Sequence, residues 1–120
     1  MSRPLRSLND FAEWFRKHAR SDVASGVCGA FSFELAGPGG GIVQAVVGEG
    51  RVAVACEELQ SPDVTFRITI ADADALLHGR ENVDLLILAG RLEVDGDLAL
   101  ALKARRVFRR SDPLPRVAER

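Results

Sequence analysis

From Asp63 to Ile70 the chain reads DVTFRITI, with Val64, Phe66, Ile68 and Ile70 alternating without a break with Asp63, Thr65, Arg67 and Thr69. A side-chain period of two belongs to a β-strand, so this run predicts a strand that is dry on one face and wet on the other. The next residues, ADADALLHG, read as a short helix over Asp72–Leu77, with Asp72 and Asp74 at its positive end and Gly79 as its stop. A one-faced strand here runs straight into a helix. It predicts a sheet that buries one face under helices, an α+β domain.

The remaining segments extend that plan. Ser7–Arg20 predicts an amphipathic helix, with Ser7 as cap, Asp10 three residues on, and Phe11, Trp14, Phe15, His18 and Ala19 on one stripe. Val27, Phe31, Phe33 and Leu35 alternate with Cys28, Ala30, Ser32 and Glu34 as a first strand. The run Gly37–Gly41, GPGGG, is a hairpin loop; it lacks the Lys-Ser/Thr of a phosphate cradle and opens a strand rather than a helix. Ile42–Val47 and Arg51–Cys56 are two further strands joined by the turn Gly48-Glu49-Gly50, which makes an antiparallel meander. Asn82–Leu88 reads as a second short helix, Gly90–Gly96 as a fifth strand and Asp97–Arg110 as the last helix. These pieces predict one domain over residues 1–110, with a loose tail over 111–120 after Asp112-Pro113-Leu114-Pro115.

The last helix carries more apolar surface than packing on a sheet requires. Leu98, Leu100, Ala101, Leu102, Ala104, Val107 and Phe108 span roughly 220° at about 100° per residue, with Lys103, Arg106 and Arg110 on the polar edge. The surplus is expected to face a ligand, a partner subunit (which would make a homodimer) or other helices. Ordinary core packing is the alternative.

Chemistry has little to hold in this sequence. His18 and His78 sit near helix ends with no second histidine at metal spacing, and neither H-E-x-x-H nor C-x-x-C occurs. Asp95-Gly96-Asp97 does not fit a calcium loop, and capping accounts for the aspartates more simply. Cys28 and Cys56 fall in apolar strand patterns, where a reduced, packed thiol is expected. No catalytic constellation, metal site or cofactor is expected. No apolar run approaches the roughly 20 residues of a bilayer span, and the N-terminus lacks the apolar core of a signal peptide, so a cytoplasmic protein is expected.

The net charge of −1 conceals an asymmetry. Residues 1–20 carry five basic and two acidic side chains, residues 98–120 seven and two, and residues 21–97 four and thirteen, so ends of +3 and +5 flank a middle of −9. The basic ends either neutralise the middle or form a face for anionic lipid head groups, led by Arg105, Arg106, Arg109 and Arg110. Nucleic acid is not among the expected partners.

Two stretches carry a family resemblance. DVTFRITIADADALLHG and GRLEVDGDLALALK supply an aspartate-led alternating strand, an acidic helix start and a G-[KR]-L-x-[IV]-x-G-[DN] strand before the last helix. This order resembles the sterol carrier protein 2 (SCP-2) lipid-binding domain, over roughly Phe11–Phe108. The chain departs from the pattern in its unusually glycine-rich loop and in lacking a tryptophan in the meander. It also ends without a peroxisomal address, as expected of a stand-alone prokaryotic member.

The resemblance implies a five-stranded, mostly antiparallel sheet of order 3-2-1-4-5, with helices covering one face over an apolar tunnel. It also implies non-catalytic binding or transfer of a sterol-like, fatty acyl or isoprenoid lipid. The walls of such a site are expected from Phe11, Trp14, Phe15, Leu76, Leu77, Leu85, Leu88, Leu98, Leu102 and Phe108. The alternative is a protein-interaction or accessory module, for example in quinone biosynthesis, with its core packed shut.

Overall fold

The computed structural model describes residues 5–18 and 26–107, the last four by backbone alone. The elements run α1 (Leu8–His18), β1 (Gly29–Ala36), β2 (Gly41–Gly48), β3 (Arg51–Ala55), β4 (Val64–Thr69), α2 (Ile70–Leu77), α3 (Val83–Leu88), β5 (Leu92–Gly96) and α4 (Leu98–Val107). The five strands form one sheet in the order β3-β2-β1-β4-β5. β1 is antiparallel to β2 and parallel to β4, while β2–β3 and β4–β5 are antiparallel. The α+β class and the strand order both follow the sequence reading. Ala19, Arg20, Phe108, Arg109, Arg110 and the 111–120 tail lie outside the described residues, as do the side chains of Arg105 and Arg106.

Local chemistry explains the element ends. Ser7 Oγ accepts the Asp10 N–H at 3.2 Å and Asp10 Oδ2 accepts the Arg6 N–H at 3.0 Å, which fixes the start of α1. In the β2–β3 turn Glu49 (φ 52°) and Gly50 (φ 73°) are both left-handed, as a two-residue type I′ hairpin requires. α2 begins earlier than the sequence suggests. Thr69 caps it, its Oγ1 accepting the Asp72 N–H at 3.1 Å, so Ile70 is the first helical residue and not the last strand residue.

Pairing aligns Phe31, Phe33 and Leu35 with Val43 and Ala45 on one side and with Val64, Phe66 and Ile68 on the other, building one apolar face. The four described helices pack on that face, in two clusters. Phe11, Trp14 and Phe15 of α1 meet Leu35, Val43, Ile68, Leu86 and Leu92. At the other end of the face Ala101 and Leu100 of α4 meet Phe31, Val47 and Val64. At about 1.5–3 kcal/mol per large apolar side chain, this burial is the main source of stability.

The opposite face is not simply wet. Ser32, Gln44 and Thr65 lie on it and are buried, because the chain from β3 back to β4 must cross over β2 and β1 on that side. A crossing loop carries backbone groups that need partners, and Gln44 supplies them. Its Oε1 accepts the N–H groups of Leu59 (2.6 Å) and Gln60 (3.1 Å), and its Nε2 donates to Gln60 O (2.8 Å) and Ser32 Oγ (3.0 Å). Gln44→Leu is expected to cost about 2–3 kcal/mol in denaturant unfolding, because the loop loses every one of these partners. A variant that unfolds at the wild-type midpoint would show that the strap contributes nothing.

The cysteine expectation is corrected in part. Both thiols are free, but both are exposed rather than packed. Cys28 precedes β1 and Cys56 follows β3, so each lies just outside the strand whose apolar pattern suggested burial.

Candidate functional site

The two clusters on the apolar face leave a row between them. Phe33 of β1, Phe66 of β4 and Val94 of β5 are direct neighbours across three strands. Each touches both clusters and each stays only half-buried. The rings stack in series, Phe15 on Phe33 at 4.5 Å between centroids and Phe33 on Phe66 at 5.1 Å. The result is a flat aromatic floor between α1 and α4, with no polar group among its three members.

The residues expected to wall a ligand site are divided by the structure. Phe11, Trp14 and Phe15 lie in the core, with Phe11 fully enclosed. Leu76 and Leu77 pack against the same cluster at partial burial. Leu85 (62% exposed) and Leu88 (83%) stand outward on α3, and Leu98 (63%) and Leu102 (64%) on α4. Phe108 lies outside the described residues. The structure thus brings the first five onto one cluster and leaves four leucines in solvent. The floor residues Phe33, Phe66 and Val94 escaped the sequence reading because any inward strand position reads as core. Only the spacing of the covering helices leaves a middle row uncovered.

The surplus of the last helix is real. Ala101 is buried and Leu100 half-buried against the sheet, whereas Leu98 and Leu102, four residues apart, share an exposed flank. Asp97 holds the helix start, its Oδ1 accepting the Leu100 N–H at 3.1 Å. Asp63, the leading aspartate of β4, joins three elements. Its Oδ2 accepts the Ala30 N–H (2.8 Å), its N–H donates to Ala30 O (2.9 Å), and its carbonyl accepts the Asp97 N–H (3.0 Å). The leading aspartate therefore ties β1 to the start of α4.

The remaining carboxylates also act as structural ties. Asp74 Oδ1 accepts the Leu5 N–H at 2.8 Å and lies 2.9 Å from His78 Nδ1, while Oδ2 accepts from Arg80 at 2.7 Å. Asp72 pairs with Arg91 across the α2–β5 gap. The hydrogen bond from Arg91 holds the Asp72 carboxyl below its ordinary value. At Asp74 burial pushes the carboxyl up, but the Leu5 N–H, Arg80 and His78 outweigh it and the net direction is down. Both folded values lie below the unfolded value near 3.9, so this stabilisation is complete above about pH 4 and is lost as pH falls through the folded values. Asp72→Asn with Asp74→Asn is therefore expected to flatten the acid limb of the stability–pH curve below about pH 4. An acid limb equal to that of the wild type would refute this assignment. Among the described residues no group of three His, Cys, Asp or Glu side chains gathers to hold a metal ion, and no described helix is long and apolar enough to cross a membrane.

A 3-2-1-4-5 sheet with one parallel pair at its centre, and the described helices on one face, is the α+β architecture of the lipid-binding sterol carrier domains. The chain belongs to the SCP-2 sterol transfer family, which it matches over residues 8–109.

Solved structures share the fold. The sterol carrier protein domain 2 of Helicoverpa armigera superposes with a TM-score of 0.66 at 22% identity, over 94% of this chain and 98% of that one. A UbiJ-SCP2 ubiquinone synthesis protein gives 0.65 at 19%, over 83% and 90%. The stereoselective inverting sec-alkylsulfatase Pisa1 from Pseudomonas sp. gives 0.75 at 15%, over 95% of this chain but 18% of its own, so the present chain spans less than a fifth of that enzyme. At these identities the likeness is one of fold. No curated protein matches the sequence.

Proposed function

We propose that this protein binds one apolar, chain-like lipid (a fatty acyl, sterol-like or isoprenoid molecule) against the apolar face of its sheet and carries it without chemical change. The observation that supports this reading is the half-buried row Phe33, Phe66 and Val94 between two packed clusters. A lipid chain laid there would cover the row and meet the outward leucines Leu85, Leu88, Leu98 and Leu102 at its edges. Burying a chain of sixteen carbons at about 0.8 kcal/mol per methylene gives roughly 13 kcal/mol gross. Association and ordering costs reduce that to micromolar-to-nanomolar affinity. Delivery to an anionic membrane would use the basic residues Arg105, Arg106, Arg109 and Arg110, and would weaken with salt.

Titration with a fluorescent fatty acyl probe tests the reading. Saturable binding that unlabelled lipid displaces is expected, together with a melting temperature that rises with bound lipid. A probe that never saturates would overturn it.

A second reading rests on the four exposed leucines themselves. On this account they bind another protein chain, as an accessory module such as one in quinone biosynthesis, and the core between sheet and helices is closed. In that case no lipid would move the melting temperature, and a second chain would co-purify in fixed ratio.

A further inference from the structure

An aromatic ring carries a negative face and a positive edge, so the part of it that a site presents decides what it attracts. Phe33 and Phe66 occupy paired positions on neighbouring strands, with ring planes 12° apart and centroids 5.1 Å apart. Two rings lying side by side in one plane would clash at that separation. They therefore overlap face to face and stand upright on the sheet. Phe33 has a second stacked partner in Phe15 of α1, at 4.5 Å and 26°. One face cannot hold both neighbours, so Phe15 and Phe66 take one face each. On its far side Phe66 meets the paired β5 position, Val94.

Both rings are thus flanked on their two faces, and it is by their outer edges that these half-buried side chains reach the space between α1 and α4. The row is a comb of ring edges rather than a tiling of ring faces. Its three side chains, Phe33, Phe66 and Val94, offer a ligand no hydrogen bond. The directional element they do offer is the positive C–H rim of the two rings.

A saturated chain laid on such a comb gains burial and dispersion, which any apolar surface supplies. A double bond or an aromatic ring laid there turns its electron-rich face to the edges and adds an edge-to-face contact with each ring it covers. We propose that Phe33 and Phe66 are specificity-determining residues, which make this face prefer a ligand with double bonds or an aromatic ring over a saturated one of the same carbon skeleton. The inference rests on the lipid reading above and narrows its ligand class.

Farnesol and hexahydrofarnesol test this, because they share a skeleton and a hydroxyl and differ only in their double bonds. Each alcohol competes with a fluorescent fatty acyl probe for the full chain. The saturated alcohol leaves water more readily, so raw affinities mix hydration with contact. The hydration part is common to every variant and cancels when the affinity ratio of the two alcohols is compared between proteins. Phe66→Leu is expected to lower the farnesol-to-hexahydrofarnesol ratio about fivefold, and Phe33→Leu with Phe66→Leu about tenfold or more. Phe66→Ile, whose branched side chain suits a strand, repeats the measurement should the leucine variant melt early. A ratio that is unchanged or raised in variants that still bind the probe overturns the proposal and leaves the lipid reading standing. Failure of the wild type to bind the probe at all removes the lipid reading and this inference with it, so the two failures are told apart.

Discussion

Gly96→Ala is expected to destabilise the fold by about 3 kcal/mol or more. Gly96 closes β5 at φ 110°, a conformation that strains any L side chain, and its Cβ would fall within contact distance of the Asp63 carbonyl and Val64 Cα. The same carbonyl accepts the Asp97 N–H that starts α4. A methyl group there therefore pushes apart β4, β5 and the last helix together. Thermal unfolding should show a drop of at least about 10 °C at this domain size. Gly26→Ala is the control, because nothing lies within 4 Å of its added Cβ, and it should stay within about 0.5 kcal/mol. Equal melting temperatures for the two variants would refute the close approach at Gly96.

Phe66→Arg is expected to reduce fatty acyl probe affinity by about two orders of magnitude while leaving the fold assembled. Phe66 is the centre of the half-buried row and stacks on Phe33 at 5.1 Å. A guanidinium there puts a charge under the proposed lipid chain, which an apolar ligand cannot solvate. The fold tolerates it because the position is only half-buried, so the long side chain can lay its methylenes on the sheet and carry its charge outward. Phe66→Leu, which stays apolar, should bind within several-fold of wild type. Circular dichroism separates loss of binding from loss of fold. Undiminished affinity in a folded Phe66→Arg protein would exclude this face as the lipid site.

Much of the architecture is a local property of the residues. Strict alternation over Val64–Ile68, the left-handed turn at Glu49-Gly50, the Ser7 cap and the Asn82 cap at α3 each act within a few residues, and each is readable without a partner strand. The family resemblance followed from the order of such pieces, and the strand order was implied by that resemblance. Locality also explains the misreadings. Ile70 continues the alternating pattern, but the Thr69 hydroxyl takes the Asp72 N–H and starts the helix at Ile70, two residues sooner than Asp72. Cys28 and Cys56 continue apolar patterns past the ends of the pairing, where no neighbour covers them.

The candidate sites depend on distances between segments remote in sequence, and no periodicity encodes those. Phe33 and Phe66 have the same inward pattern as buried Phe31 and Ile68. Only the separation between α1 and α4 above them makes them a floor. Gln44 reads as an outward polar residue, yet it is enclosed because the return from β3 to β4 crosses above it. The glycine loop lies against the backbone of Arg6, more than thirty residues before it, and no pattern in either segment encodes that approach. The sequence by itself determined which segments are strands and helices and which sides of them are apolar, because side-chain sterics and hydrophobic periodicity act locally. Tertiary structure alone decided which apolar and charged groups stay uncovered, because coverage depends on how far apart packed elements come to rest.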